Sequence, residues 1–378
     1  MEGVIQSGIG VSFSSIRHQG AAVRRIQEAL SRDRVPHAYL FHGPEGVGKE
    51  TVARGLAQLL LCSTPTQREL GNEDAGGVGL NRVAEGCGRC EDCRQVAAET
   101  HPDFHLIYRQ LHREHPDADV RKRKGLELGV DVLRHFLISK TGLTPLRGRA
   151  KVFVIRAADE MNVQAQNALL KTLEEPPGTT FIVLLVSAVD RLLPTTLSRC
   201  QLVRFDRLPE CFIREQLASL RPALSSERIN WYAQFGDGSL GRALDWADDE
   251  LFDLDQRLAE GMTRLGGHGG DELVKAWTDE ADALGERFRK RDSEITDAEA
   301  TRRGLATVFQ LTARRYADQL RDQANSAQFI DAESVASAIN RLAVAERQLD
   351  LNANTHLIVE TLLHELEGPV AALASTKS

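Results

Sequence analysis

Short apolar runs alternate with amphipathic stretches along the first half of the chain. The runs are apolar at nearly every position, which is typical of strands buried on both faces of a parallel sheet. They lie at 38–42, 104–108, 152–155 and 181–186. The stretches between them have helical periodicity, most clearly from Asn162 to Glu175, where Pro176 ends the pattern. This alternation predicts an α/β domain with a mostly parallel sheet.

The pattern changes after about residue 206. Strand-like runs stop there, and helical periodicity continues through short segments at 208–248 and stronger ones near 328–350 and 355–367. We therefore predict three domains. They are an α/β domain at 1–207, a small helical lid domain at 208–249 and a larger helical domain at 250–378.

Composition and charge narrow the class of protein. The 378 residues are 42% hydrophobic and 27% charged, as in an ordinary soluble globular protein, and the formal net charge is −7. Such a chain is a poor freestanding nucleic-acid binder, because phosphates need local positive charge. The N-terminus lacks a secretory signal pattern, and no apolar run approaches the roughly 20 residues that span a bilayer. We expect a cytoplasmic protein whose six cysteines are reduced, so that their spacing indicates metal binding.

Residues 43–51 read GPEGVGKET and lie between a predicted strand and a predicted helix. In this setting glycines let backbone N–H groups turn around phosphates, and a lysine reaches the outer ones. The candidate nucleotide-binding residues are Gly43, Gly46, Gly48, Lys49 and Thr51. The motif normally ends on a Ser or Thr that ligates magnesium, but Glu50 stands there, and Thr51 points about 100° further round the helix. ATP binding is therefore left open at this degenerate loop.

A second departure follows the strand predicted at 152–155. Phosphoryl transfer uses an Asp for magnesium and usually a Glu to orient water, both placed just after such a strand. This chain continues with Arg156 and Ala157, and Asp159 and Glu160 come three residues too late. Two departures in the same magnesium-handling machinery favour a site that does not hydrolyse a nucleotide.

Four cysteines form a candidate metal site. Cys87, Cys90 and Cys93 have the spacing C-x2-C-x2-C, and Cys62 lies at the end of the helix predicted after the phosphate loop. Four thiolates can enclose a structural zinc, which would fasten the polar, irregular excursion predicted at 63–86 to the domain. The alternatives for the fourth ligand are His101 and His105. An iron–sulfur cluster is a further alternative, but no Cys-Pro follows, and a closed zinc module at 62–93 is favoured.

Two further motifs make the pattern specific. They are NALLKTLEEPP at 167–177 and LLPTTLSRC at 192–200. Together with the cysteine cluster inside a phosphate-loop domain, they resemble the bacterial DNA polymerase III clamp loader of the AAA+ family. The resemblance covers the first 245 or so residues, and the helical C-terminal region is similar to that family's collar, or oligomerisation, domain in class and position. It implies an AAA+ domain with a zinc module, then a helical lid and a helical collar.

The resemblance also separates two kinds of subunit. ATP-hydrolysing gamma/tau subunits carry a complete phosphate loop and an Asp-Glu pair, whereas the delta-prime type lacks one or both and keeps Ser-Arg-Cys. This chain is similar to the second type, with Arg156 and Ala157 at the positions of the acidic pair. Gly241 stands where hydrolysing subunits tend to place an arginine, and Arg242 follows one position later. By resemblance, Arg199 serves in trans as an arginine finger for the adjacent subunit's nucleotide.

The implied function is that of a subunit of the DNA polymerase III holoenzyme without ATPase activity of its own. The implied partners are gamma/tau motor subunits and a clamp-opening delta subunit, which would form a hetero-oligomer with this chain. The sliding clamp and primer-template DNA would be reached through that assembly, and no membrane partner is implied. Two other functions stay open: an ATP-hydrolysing gamma/tau-like subunit, and a zinc-stabilised interaction module of another DNA-processing complex. For Arg199, the alternative is an arginine paired with a nearby carboxylate.

Overall fold

The computed structural model describes most of the chain. The described residues are 12–32, 34–69, 82–122, 127–147, 149–262, 270–293, 295–324, 332–350 and 354–374. The chain divides into two compact units, residues 1–245 and 246–378. The division of the first unit at residue 207 stays a prediction. Within the described residues, no helix combines the length and apolar character needed to cross a membrane.

The first unit contains a five-stranded parallel sheet. Its strands are β1 Ala38–His42, β4 Phe104–Ile107, β5 Lys151–Ile155, β6 Thr180–Val186 and β7 Gln201–Arg204. Their order across the sheet is β4-β5-β6-β1-β7. The four predicted strands are confirmed. The fifth, β7, has no apolar run because it forms one edge of the sheet and carries polar residues at both ends.

Helices cover this sheet and continue beyond it. They are α1 Gly20–Ser31, α2 Lys49–Leu61, α3 Glu91–Ala97, α4 Ala118–Arg121, α5 Val130–Leu133, α6 Ser139–Thr141, α7 Val163–Glu174, α8 Pro194–Leu197, α9 Glu210–Leu220, α10 Ser226–Phe235 and α11 Leu240–Asp248. Helix α7 starts where Asn162 caps the N–H of Ala165 at 2.9 Å, and it buries Leu169 and Leu173 in the core beside the sheet. A π-helical turn, Arg134–Ile138, joins α5 to α6.

Two segments predicted as irregular contain regular structure. The excursion at 63–86 includes an antiparallel ribbon, formed by β2 Thr66–Glu69 and β3 Arg82–Glu85, and residues 70–81 lie outside the described part. Residues 112–125 are mostly polar, and their sequence likewise predicts a loop, but they overlap a 3-10 helix, Arg109–Glu114, and contain α4. Both predictions were wrong for the same reason. Short elements with much exposed polar surface carry little hydrophobic periodicity.

The second unit is helical in its described residues, as predicted. Its helices are α12 Leu251–Met262, α13 Gly270–Arg291, α14 Asp297–Ala324, α15 Ala332–Asp350 and α16 Thr355–Ala374. Trp277 and Phe309 are among the large side chains fully buried in its core. The buried carboxylate of Asp255 accepts hydrogen bonds of 2.6 and 2.7 Å from Arg315, so an ion pair ties α12 to α14.

Candidate functional site

The glycine loop lies between β1 and α2, as the sequence predicts. Gly43, Gly46 and Gly48 have φ values of 149°, 72° and 100°, which favour glycine. A Cβ on Gly43 would lie 2.3 Å from the carbonyl oxygen of Phe205, so the loop also packs tightly on the residue that follows β7. Thr51 lies in the first turn of α2, one residue beyond the position of the missing hydroxyl.

Lys49 begins α2 and is buried. Its Nζ donates to the carbonyl oxygens of Gly43 and Pro44, the latter at 2.7 Å, and to Ser187 Oγ at 3.2 Å. Burial lowers the pKa of Lys49 to about 8, against the opposing charge of Glu45. The ammonium group therefore closes the loop on itself, and it would have to exchange these acceptors to reach a phosphate.

The two residues that break the magnesium motif contact each other. Arg156 Nε donates to Glu50 Oε2 at 2.8 Å and Arg156 Nη2 donates to Oε1 at 2.6 Å, which is a two-pronged ion pair. Arg54 donates to the same Oε1 at 2.8 and 2.9 Å and reaches Glu99 at 2.5 Å. Burial opposes ionisation of Glu50, but the hydrogen bonds and charges of Arg156 and Arg54 outweigh it, so the pKa of Glu50 lies below its usual value. A guanidinium thus stands where a hydrolysing site needs magnesium ligands.

The later acidic residues have other partners. The carboxylate of Asp159 accepts from the backbone N–H groups of Ser187 and Ala188, at 3.4 and 2.9 Å. Glu160 Oε2 lies 3.7 Å from Arg109 Nε. Asp159 thereby fixes the chain just after β6, and its side chain is already engaged in that contact.

We predict that Arg156→Ala lowers the free energy of unfolding by about 2 kcal/mol, because it leaves the half-buried Glu50 with one arginine instead of two. The double variant Glu50→Gln/Arg156→Ala is expected to lose less stability, because glutamine leaves no unpaired carboxylate and its amide oxygen can still accept from the buried Arg54. Urea unfolding of the full chain measures both. Arg82→Ala is the control, because Arg82 and Glu69 form an exposed pair, which is worth about 0–1 kcal/mol. Equal losses in the Arg156 and Arg82 variants would contradict the prediction.

The segment 239–241, which leads into the first turn of α11, packs closely against the glycine loop. The Gly241 N–H donates to the Gly46 carbonyl at 3.1 Å, and a Cβ on Gly46 would lie 2.4 Å from Ser239 Oγ. A Cβ on Gly241 would lie 2.8 Å from Gly46 Cα. This contact gives a physical reason for the departure noted in the sequence. An arginine side chain at position 241 would require the loop or the segment to move, and Arg242 is exposed instead.

Arg199 lies just after α8, and its side chain contacts Glu174 of the NALLKTLEEPP motif. Its Nε donates to Glu174 Oε1 at 2.6 Å, and its Nη2 contacts the same oxygen. Its Nη1 donates to the carbonyl oxygen of Thr195 at 2.8 Å and to Ser198 Oγ at 3.3 Å. Cys200 packs in the hydrophobic core, and burial raises the pKa of its thiol to about 12, so it anchors the motif as an apolar side chain. Within the single chain, Arg199 is thus paired with a nearby carboxylate.

The four predicted cysteines come together. The Sγ atoms of Cys62, Cys87, Cys90 and Cys93 all lie within 4.8 Å of one another. The Cys62–Cys90 distance is 3.8 Å, close to the separation that sulfur atoms have around a tetrahedral zinc with bonds of about 2.3 Å. Backbone N–H groups of Cys87, Cys90 and Cys93 donate to cluster sulfurs at 3.3 to 3.4 Å, as suits thiolates. The donor set therefore fits one metal ion with four thiolate ligands.

The two histidines predicted as alternatives have other partners. His101 Nδ1 accepts from the N–H of Asp103 at 3.1 Å, and its Nε2 lies 3.5 Å from Asp92. The His105 ring stacks on Phe153 at 4.7 Å, and burial lowers its pKa to about 4. In the described part of the chain, the four cysteines form the only cluster of three or more potential metal ligands.

Sequence reasoning missed three partners at these sites: Arg54, Glu99 and Glu174. Arg54 could have been found, because it follows Glu50 by four residues on a helix, the spacing of ion pairs along one face. Glu174 is an acid in the last turn of α7, a place that favours positive charge, and this was an available signal too. Nothing in the sequence pointed to Glu99.

Comparison with known proteins places the chain in a family. The family model described as DNA polymerase III, delta subunit, matches residues 18–209, about half of the chain. The chain is 38% identical to the DNA polymerase III subunit delta' of Pseudomonas aeruginosa over 43% of its own length and 41% of that protein. It is 30% identical to the tau subunit of Salmonella typhimurium over 73% of its own length and 39% of that protein.

The chain thus spans about two fifths of the length of these two curated relatives. Among solved structures, the chain is similar to a DNA polymerase III gamma subunit-related protein from Thermotoga maritima, at 17% identity and a TM-score of 0.43. The alignment covers 93% of this chain and 99% of the Thermotoga protein. From the match of the family model, we conclude that the chain belongs to the DNA polymerase III delta subunit family, among the clamp loader subunits of the AAA+ type.

Proposed function

We propose that this chain is a delta-prime-like clamp loader subunit that does not hydrolyse ATP and that supplies Arg199 in trans to the ATP site of a neighbouring gamma/tau subunit. It would act in the cytoplasm as part of a hetero-oligomer that also contains a clamp-opening delta subunit. That assembly would place the sliding clamp on primed DNA during replication. The helical second unit would serve as the collar through which the subunits associate.

The contact between Glu50 and Arg156 carries this proposal. Phosphoryl transfer by P-loop enzymes depends on a magnesium ion held by a Ser or Thr of the loop and an Asp after a neighbouring strand. Here both positions are replaced, and the replacements neutralise each other at 2.6 and 2.8 Å. The loop therefore lacks the hydroxyl that would ligate magnesium, and the position after β5 lacks the Asp carboxylate. The positive charge at this place is the guanidinium of Arg156, which Glu50 holds.

Arg199 fits the second half of the proposal by its chemistry. An arginine is charged at any physiological pH and presents a planar fork of donors that matches phosphate oxygens. Supplied from a neighbour, it can stabilise the charge that develops on the γ-phosphate in the transition state. Its side chain is partly exposed, so it can reach another molecule.

The main competing function is that of an ATP-hydrolysing gamma/tau-like subunit, and the match to a tau subunit over 73% of this chain favours it. It requires an acid to replace the missing one. The nearest candidates, Asp159 and Glu160, are engaged by backbone N–H groups and by Arg109, which supports the delta-prime-like proposal instead.

We predict that the purified chain releases phosphate from MgATP no faster than its Lys49→Ala variant, because neither protein can hold the catalytic metal. Phosphate release and nucleotide binding are measured on the full chain, alone and with a gamma/tau subunit, and the gamma/tau subunit alone is the positive control. If the chain hydrolyses ATP and Lys49→Ala abolishes that hydrolysis, the competing gamma/tau-like function is established and the delta-prime-like function is refuted.

We also propose that the cysteine cluster holds a structural zinc. Four thiolates favour zinc over magnesium or calcium, and a site with four protein ligands has no open position for catalysis. The module lies against α2, where Gln58 Nε2 donates to the Cys93 carbonyl at 3.1 Å. Arg149 adds hydrogen bonds of 3.1 and 3.2 Å to the carbonyls of Cys62 and Ser63. The role of the zinc would be to hold the ribbon of β2 and β3 against α2, the helix that follows the phosphate loop.

A further inference from the structure

We propose that Glu174 is a positioning residue that holds Arg199 against its own chain until the neighbour's γ-phosphate displaces it. This inference rests on the proposed trans role of Arg199. The contact connects two motifs that are separate in the sequence, because Glu174 belongs to NALLKTLEEPP and Arg199 belongs to LLPTTLSRC.

The contacts of the guanidinium define what must change. Nε and Nη2 both face Glu174 Oε1, while Nη1 faces the Thr195 carbonyl and Ser198 Oγ. All three nitrogens therefore have acceptors within the chain. The edge formed by Nε and Nη2 is also an edge that can grip two phosphate oxygens side by side. The Glu174 carboxylate and an incoming phosphate compete for that edge, whereas the Nη1 contacts can persist and keep the side chain in place.

The position of Glu174 is unfavourable for the helix that carries it. It is the last residue of α7, where the C-terminal end of the helix dipole favours positive charge, and Glu175 follows directly. Arg199 compensates locally for this misplaced acid. An acid that weakens its own helix and contacts the one arginine proposed to act in trans is better explained by a role toward that arginine than by stability.

The exposure of the pair suits an exchangeable contact. The side chains of Arg199 and Glu174 are 29% and 49% exposed, so both are accessible to water and to another molecule. Measured ion pairs of this kind are weak, equivalent to roughly a 1.4- to 5-fold change in an equilibrium. Such a contact can hold the arginine in one rotamer and still yield to a phosphate, which carries more charge than one carboxylate.

Glu174→Gln tests the proposal, because it keeps the shape and removes the charge. The matched control is Glu175→Gln, which changes the adjacent exposed acid at the same helix end. In the isolated full chain, phenylglyoxal modification of Arg199, followed by mass spectrometry, is expected to be about two- to fivefold faster in Glu174→Gln and unchanged in Glu175→Gln. High salt should reduce the difference in labelling rate between Glu174→Gln and the chain with Glu174, because it screens the ion pair of Glu174 with Arg199.

In the assembly reconstituted with gamma/tau and delta, Glu174→Gln is expected to raise ATP hydrolysis without clamp or DNA by a similar factor, because Arg199 is released more readily. Unchanged labelling of Arg199 would overturn the holding contact. Faster labelling with slower hydrolysis would also overturn the proposal, since Glu174 would then be needed in the active arrangement. An Arg199→Ala variant with unchanged hydrolysis would instead remove the proposed function, whatever the labelling result.

Discussion

Replacing Arg199 with alanine is expected to slow hydrolysis at the neighbouring subunit's ATP site by roughly 10³-fold, the lower end of the effect of arginine fingers. The expected loss is large because the guanidinium stabilises charge that exists only in the transition state. ATP binding by the neighbour should change much less. The variant chain should fold normally, since the pair it removes is exposed and contributes at most about 1 kcal/mol.

Single-turnover hydrolysis in the reconstituted assembly measures this effect, and clamp loading on primed DNA follows it. Other ATP sites in the assembly would be served by other subunits, so the steady-state rate falls by less than the rate at this site. Arg199→Lys should recover only part of the loss, because an ammonium lacks the planar fork. The control is Arg191→Ala, an exposed arginine close in sequence. Equal rates for the Arg199→Ala and Arg191→Ala assemblies would disprove the trans role.

The sequence predicted the central part of the fold because buried parallel strands are apolar without interruption. β1, β5 and β6 are buried at nearly every position, so their pattern depends little on neighbours. β7 and the ribbon of β2 and β3 could not be found this way. Most of their residues are polar or exposed, so no continuous apolar run marks them, and pairing with another strand makes them regular.

At the phosphate loop, the sequence showed two unusual residues but not their contact. Glu50 and Arg156 are 106 positions apart, and no local pattern brings them together. Their opposite charges, at two positions that normally ligate the same ion, were the available signal. The pairing of Arg199 with Glu174 was left open for a related reason. Glu174 and Arg199 are 25 positions apart, and only the folded chain shows that the carboxylate at the end of α7 contacts this arginine.

Removing the proposed zinc, by chelation or by Cys93→Ser, is expected to destabilise the first unit more than substitution of Arg156 or Arg199 does. Zinc binding contributes about 10–16 kcal/mol in isolated zinc-finger peptides, where it drives folding outright. The first unit also has its own hydrophobic core, so we expect a partial loss of about 4 kcal/mol or more. That corresponds to a fall in Tm of ~10 °C for a unit of this size. Because Cys62 ends α2, unfolding of the module should also loosen the helix that follows the phosphate loop.

Metal analysis and thermal unfolding of the full chain test this prediction together. The unmodified chain should carry about one zinc, and Cys62→Ser should lose it because Cys62 is the proposed fourth ligand. His101→Ala should keep it, since His101 lies outside the sulfur cluster. Cys211→Ser is the matched control, being an exposed cysteine that should affect neither zinc nor Tm. A chain without zinc, or one whose Tm is indifferent to chelation, would contradict the structural role. Loss of zinc in His101→Ala but not in Cys62→Ser would replace the fourth ligand and leave the module in place.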